Sequence, residues 1–311
     1  MEKEDNNSHL GAIWSLASTS NNIITGSIDK TVKLWKIEED LKVERTLHSE
    51  HLWGVTSVDI TNNDKYVCSI GLDNKLVIYD MQVESIVHKI EFKELTTYKC
   101  KISPDSTQVA ICGQKGKISI YSIQDGKPLF DLKAPTDDFL LSITYSPCGN
   151  YIGCGSNQGN LYLMSIQTQS LYRKFNVSQS SIRAVSFSED GQCLAVGTDE
   201  GKITVYNPHH QNILGVLTGH ESWINSLLIQ KDDVAGNLLI SGSSDTTVKF
   251  WCLDNITCIG SIRSNLDEDT SLKDQVWGVI RKAVSEQDYK IVIALESGSL
   301  NLLDQPIFQL K

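Results

Sequence analysis

Polar and apolar residues alternate in short runs along the whole chain, and the runs return at a regular spacing. Residues 31–36 (TVKLWK), 75–80 (KLVIYD), 117–122 (KISIYS), 160–165 (NLYLMS), 202–207 (KITVYN), 247–252 (TVKFWC) and 299–304 (SLNLLD) follow one pattern. Each closes on a bulky side chain: Trp35, Tyr79, Tyr121, Met164, Tyr206, Trp251 and Leu303. The intervals between these residues are 44, 42, 43, 42, 45 and 52. Alternation with period two predicts half-buried strands. A repeat of about 44 residues predicts four-stranded propeller blades. The expected fold is therefore all-β: a seven-bladed propeller of four antiparallel strands per blade. It fills residues 1–311 as one domain, with repeats near 9–48, 51–92, 93–133, 136–176, 178–217, 220–263 and 272–311.

The sixth repeat shows the unit most clearly: Gly219-His220, then SWINSLLI, then LLISGSSDTTVKFW, then a turn and CIGSIR. His220, Ser241, Asp245 and Trp251 stand at spacings that place the Asp in the turn between the second and third strands. There it can accept a hydrogen bond from the His, which in turn contacts the Ser facing the Trp. Buried polar groups need partners, so the four residues belong together. The set returns as His9, Thr25, Asp29 and Trp35, and as His51, Ser69, Asp73 and Tyr79; the other units carry Lys115, Gln158, Glu200 and Ser297 at the Asp position. A His, a Ser and an Asp also suggest a nucleophilic triad. Three copies in strand and turn positions serve three blades, however, not one active site.

Ring closure is expected at the C-terminal end. The residues before His9 (MEKEDNNS) show no apolar alternation, whereas PIFQL at 306–310 reads as an outer strand for the last blade, with Pro suited to a sheet edge.

Composition narrows the function. The formal charge of −10 disfavours sequence-independent nucleic-acid binding. No run of 18 apolar residues exists, and the first ten residues are polar and charged, so neither a membrane span nor a signal peptide is expected. The eight cysteines form no CxxC pair and lie mostly in strand-like runs, where Cys acts as a small buried apolar residue. No metal site, cofactor or disulfide is expected, and the compartment is expected to be reducing, cytoplasmic or nuclear. The triplets at 176–178 and 255–257 should then remain unglycosylated. Gly113 to Lys117 lacks the helix N-terminus that a phosphate loop needs, His209-His210 reads as a solvated turn, and the acidic 267–269 as a solvated loop.

The aromatic residues carry the functional signal. At the start of each innermost strand, the residue before a small-residue position points toward the narrow top face. That slot holds Trp14, Thr56, Tyr98, Leu141, Arg183, Asn225 and Trp277, with Phe139 and Trp223 two residues earlier in their own repeats and Trp53 beside Gly54. Singly, such residues pack between blades. As a group they have hot-spot composition and predict a protein partner.

These motifs resemble the WD-repeat family over essentially the whole chain, although only one Gly-His pair and no strict Trp-Asp pair are present. Within it, AIWSLA (12–17), GVTSVDI (54–60), FLLSITYSPCGNYIGCG (139–155), SIRAVSFSEDGQCLA (181–195), GHESWINS (219–226) and DQVWGV (274–279) resemble the branch that serves the superkiller complex and the Paf transcription-elongation complex. The resemblance implies a non-enzymatic scaffold, monomeric on its own. Its top face would hold peptide segments of a tetratricopeptide subunit that also carries an RNA helicase feeding the exosome. Trp14, Tyr98, Trp223 and Trp277 would clamp an apolar anchor, and Arg183 would order peptide carbonyls or a carboxylate. The rival expectation keeps the fold and changes the client: a ubiquitin-ligase substrate receptor or a histone-tail reader, with Asp199 and Glu296 as acids of an aromatic cage.

Overall fold

The innermost strands, rich in β-branched and small residues, stand side by side in a ring, and each begins a sheet that runs outward in sequence order. The computed structural model describes residues 8–37, 40–47, 49–93, 96–264, 274–283 and 289–306. Among them are six four-stranded antiparallel sheets and a seventh of three strands, with no α-helix. The protein is a seven-bladed β-propeller. The innermost strands are Ile13–Ser18, Val55–Ile60, Thr97–Ile102, Leu140–Tyr145, Ile182–Phe187, Ile224–Asp232 and Val276–Ala283.

The core lies between blades rather than within them, because each sheet buries both faces against its neighbours. Ile24, Leu34 and Val32 of blade one meet Val55, Val58 and Val67 of blade two, and the same arrangement repeats around the ring. The ring closes where Ile13, Ile23 and Trp35 of blade one pack on Ile280, Val292 and Ala294 of blade seven. His9 N donates to Gly298 O at 3.0 Å across the same seam. The described strands of blade seven are Val276–Ala283, Tyr289–Leu295 and Leu300–Asp304. The outer strand expected at 306–310 falls, apart from Pro306, outside the described residues, as does the acidic 267–269.

Five cysteines (68, 100, 112, 154 and 252) are buried, Cys193 is half-buried, and Cys148 and Cys258 are exposed. Burial pushes the Cys100 thiol up to about 12, as expected for a cysteine that acts as a core residue.

Turns between the second and third strands take two forms. In all seven, the residue after the Asp position has a positive φ: Lys30, Asn74, Gly116, Gly159, Gly201, Thr246 and Gly298. The four glycines belong to the four repeats that lack the turn Asp. A Cβ on Gly159, Gly201 or Gly298 would meet a backbone oxygen of the next blade's incoming loop at 2.0, 2.5 and 2.6 Å. Blades without the acid thus press bare backbone against the neighbouring loop. Blades with it hold their own incoming loop through the Asp side chain, which takes up the His and the backbone N–H that follows it.

Candidate functional site

The tetrads form directed hydrogen-bond chains. In blade one, Trp35 Nε1 donates to Thr25 Oγ1 at 2.7 Å, Thr25 Oγ1 lies 2.6 Å from His9 Nε2, and His9 Nδ1 lies 2.9 Å from Asp29. With the Trp donating, the Thr hydroxyl donates onward to Nε2. A neutral His9 protonated on Nδ1 then completes the chain. Blade six repeats it through Trp251, Ser241, His220 and Asp245 at 2.9, 2.7 and 2.7 Å. In blade two, His51 bridges Ser69 and Asp73 at 2.9 and 3.0 Å, but Tyr79 makes no hydrogen bond to Ser69.

Burial lowers the pKa of His9 and His51, outweighing the hydrogen bonds they donate to Asp29 and Asp73, which would raise it. Burial would raise Asp29 and Asp245, yet hydrogen bonds from the His and from Thr31 or Thr247 hold both well below the usual carboxylate range. In this charge state the Nδ1–H is tied up by a carboxylate and the Ser or Thr by a Trp, so the arrangement is a structural strut.

In two of the repeats lacking the turn Asp, the acid has moved to the loop entering the blade. Asp138 accepts from Asn160 Nδ2 at 2.9 Å and Tyr162 Oη at 2.7 Å, and Asp274 accepts from the backbone and hydroxyl of Ser297 at 2.8 and 2.7 Å.

The slot residues share a backbone cause. Every innermost strand has a register shift near its start, and the residue skipped by the pairing is Trp14, Thr56, Tyr98, Leu141, Arg183, Asn225 or Trp277. A β-bulge frees one residue from the ladder and re-aims its side chain. Here the freed residues are all at the entrance of the central channel. Six of them, with Lys99, line one small void there; Thr56 is instead buried, its hydroxyl donating to Tyr98 O at 2.7 Å.

The mouth is aromatic on one side and charged on the other. Trp14 and Trp277 lie 6.2 Å apart, tilted, and Tyr98 meets Phe139 edge to face at 5.8 Å. The Arg183 guanidinium stacks 4.2 Å from the Trp223 ring and grips Asp199 through Nε and Nη2 at 2.6 and 3.2 Å. Trp277 Nε1 donates to Glu296. Asn225 Nδ2 holds Ser244 Oγ and Val276 O at 2.9 and 3.0 Å, and its Oδ1 is buried within the wall. Lys99 is half-buried by surface area, but the side that is open faces the narrow channel. Burial brings its pKa down to about 8.

Trp223 is 42% exposed and Trp53 63% exposed, so both present ring surface to solvent. Trp53 does not line the mouth. It stands at the entrance of blade two, and Leu10, Ile28, Leu52 and Leu72 in the turns of blades one and two are exposed as well. Of these five only Trp53 stands out in the sequence, because the four aliphatic residues fall in turns without periodicity. The doubled Leu52-Trp53 after His51 was the available signal.

Comparison with known proteins agrees with this architecture. A family model for the WD domain, G-beta repeat, matches residues 5–36 and 42–80, and one for the anaphase-promoting complex subunit 4 WD40 domain matches 143–232. Together they span about half of the chain. Among curated proteins, the chain is similar to meiotic recombination protein rec14 of Schizosaccharomyces pombe, 26% identical over 65% of this chain and 68% of that protein. It is also similar to WD repeat-containing protein SL1-17 of Schistosoma mansoni (25%, covering 64% and 67%). A third relative is WD repeat-containing protein VIP3 of Arabidopsis thaliana (25%, covering 60% and 63%). The seven bulged blades, the directed tetrads and these matches agree: the chain belongs to the WD40-repeat family.

Proposed function

We propose that this propeller is a non-catalytic scaffold whose top face holds peptide segments of partner subunits, as in the WD-repeat subunit of superkiller complexes. Its partners on this reading are a tetratricopeptide subunit and, through it, an RNA helicase supporting exosome-mediated mRNA decay. Paf-complex subunits are the nuclear counterpart, and the protein works in cytoplasm and nucleus. The observation that carries the reading is the channel mouth. Bulges in separate blades bring Trp14, Tyr98, Leu141, Arg183 and Trp277 around one opening, with Trp223 exposed beside it. Aromatic residues and Arg that stay solvent-facing are the composition of binding hot spots. The formal charge of −10 fits a role beside RNA without direct contact to it.

A reader of methylated lysine is disfavoured by the same geometry. Its acidic candidates are engaged, Asp199 with Arg183 and Glu296 with Trp277. The void at the mouth is about 20 Å³, room for one water-sized group, and Lys99 lines it with positive charge. Purification of the tagged chain from its source cell, followed by mass spectrometry, tests the reading. Tetratricopeptide and helicase subunits are expected in stoichiometric yield; ligase adaptors, chromatin or recombination proteins in their place would overturn it.

A further inference from the structure

Lys99 breaks the series around the channel. The residue after each bulge is small in six blades: Ser15, Ser57, Ser142, Ala184, Ser226 and Gly278. Several of these clip the next blade: Val58 N donates to Ser15 Oγ at 3.0 Å, Cys100 N to Ser57 Oγ at 3.1 Å and Val279 N to Ser226 Oγ at 3.1 Å. In blade three the same place holds a lysine. Its ammonium reaches back past the neighbouring blade, donating to the carbonyl of Thr56 in blade two at 3.0 Å and, 85 residues away in sequence, to that of Trp14 in blade one at 3.4 Å.

This ammonium has three donors and two protein acceptors. Among the described residues no carboxylate lies within ion-pair reach of it. The other cation of the mouth, Arg183, is matched by Asp199 at 2.6 Å. A cation removed from bulk water without a counter-charge is costly, and the cost shows in the lowering of the Lys99 pKa to about 8. The void beside it is about 20 Å³, room for one oxygen atom.

We propose that Lys99 makes the channel mouth a carboxylate subsite, which takes one acidic side chain of the bound peptide while the surrounding tryptophans cover its apolar neighbour. This rests on the mouth being the peptide site, and it adds a charge requirement that the aromatic rim does not impose. An oxygen placed in the void receives the third Lys99 hydrogen bond, a charge-assisted one. An Asp or Glu beside a bulky apolar residue is the segment that meets both walls.

The test uses the whole chain labelled with 15N on its tryptophans, with phenylacetate and its neutral isostere phenylacetamide as probes. Phenylacetate is expected to shift the indole resonances of Trp14 and Trp277 saturably and to bind at least tenfold more tightly than the amide. Lys99→Met should bring the two probes to equal affinity, and Trp277→Ala should weaken both alike. Equal binding to the unaltered chain, a preference that survives Lys99→Met, or no saturable shift with phenylacetate would each overturn the proposal. Acetyl-Phe-Glu-amide, acetyl-Phe-Gln-amide and acetyl-Gln-Phe with a free C-terminus separate the sources. Lys99-dependent binding is expected for the first alone; dependence confined to the third would overturn the assignment to a side chain. Loss of carboxylate preference, with partner binding still dependent on Trp277, would defeat this inference and leave the scaffold reading standing.

Discussion

Replacing Asp29 by Ala removes the acceptor of four hydrogen bonds, from His9 Nδ1, Leu10 N and Thr31 N at 2.9 Å and Thr31 Oγ1 at 2.7 Å. Only His9 is fully buried among these donors, so its lost bond is not regained from water. A hydrogen bond to a charged partner contributes about 1.5–3 kcal/mol, and the rewetted donors add a smaller loss, so the total is about 2–4 kcal/mol. In a chain of 311 residues that lowers the melting temperature by about 3–6 °C. The chain running from Trp35 to Asp29 makes a sharper claim. Trp35→Phe deletes the indole N–H and leaves Thr25 with one donor fewer. In urea unfolding followed by far-UV circular dichroism, the double-mutant cycle of Asp29→Ala with Trp35→Phe should show a coupling of about 1 kcal/mol or more. The corresponding cycle of Asp73→Ala with Tyr79→Phe should show almost none, because the Tyr79 hydroxyl does not reach Ser69. Additivity in blade one, or equal coupling in both blades, would refute the directed chain.

Arg281 is buried and bridges blades six and seven, pairing with Asp232, donating to Lys231 O at 3.1 Å and Gln305 at 2.6 Å, and lying 3.5 Å from the Tyr289 ring. Arg281→Met should cost about 3–5 kcal/mol by stranding the Asp232 carboxylate, and adding Asp232→Asn should recover part of it in the same unfolding assay. Acid should weaken the ring. As pH falls below the ordinary histidine value of 6.5, unfolded histidines take up protons that buried His9 and His51 resist, so stability falls as pH falls. The depressed carboxyls of Asp29 and Asp245 add a further loss as unfolded carboxylates protonate at lower pH. A melting temperature that drops between pH 7 and pH 5.5, and drops less in His9→Phe, checks this. The Lys99 side chain should titrate near pH 8, well below surface lysines, when its 15N or 13C shift is followed by NMR.

The fold was legible because strand alternation and a 44-residue spacing are local, repeated signals. The partners His9, Thr25 and Asp29 were legible for the same reason, since copies at matched offsets reveal a shared role. The slot from Trp14 to Trp277 could also be read, but its cause, a bulge in every innermost strand, is a matter of register between strands and leaves no mark in composition. What escaped depends on contacts distant in sequence. Asp199 and Glu296, the cage acids of the rival expectation, serve Arg183 and Trp277 across 16 and 19 residues. The reach of Lys99 to Trp14 spans 85 residues and depends on how blades one to three stand side by side. The transfer of the acid to Asp138 and Asp274 keeps the contact between turn and loop while reversing its direction, so aligned repeats show a loss where the structure shows an exchange.

The central claim is that the aromatic mouth grips a partner peptide. Its most direct measurement is the dissociation constant of the purified chain for the tetratricopeptide subunit proposed as its partner, compared among the unaltered protein, Trp277→Ala and Trp223→Ala at matched folding. Each substitution should weaken binding tenfold or more, about 1.4 kcal/mol, while the melting temperature stays near that of the unaltered protein. Undiminished binding in both variants would contradict the account and place the site elsewhere on the propeller.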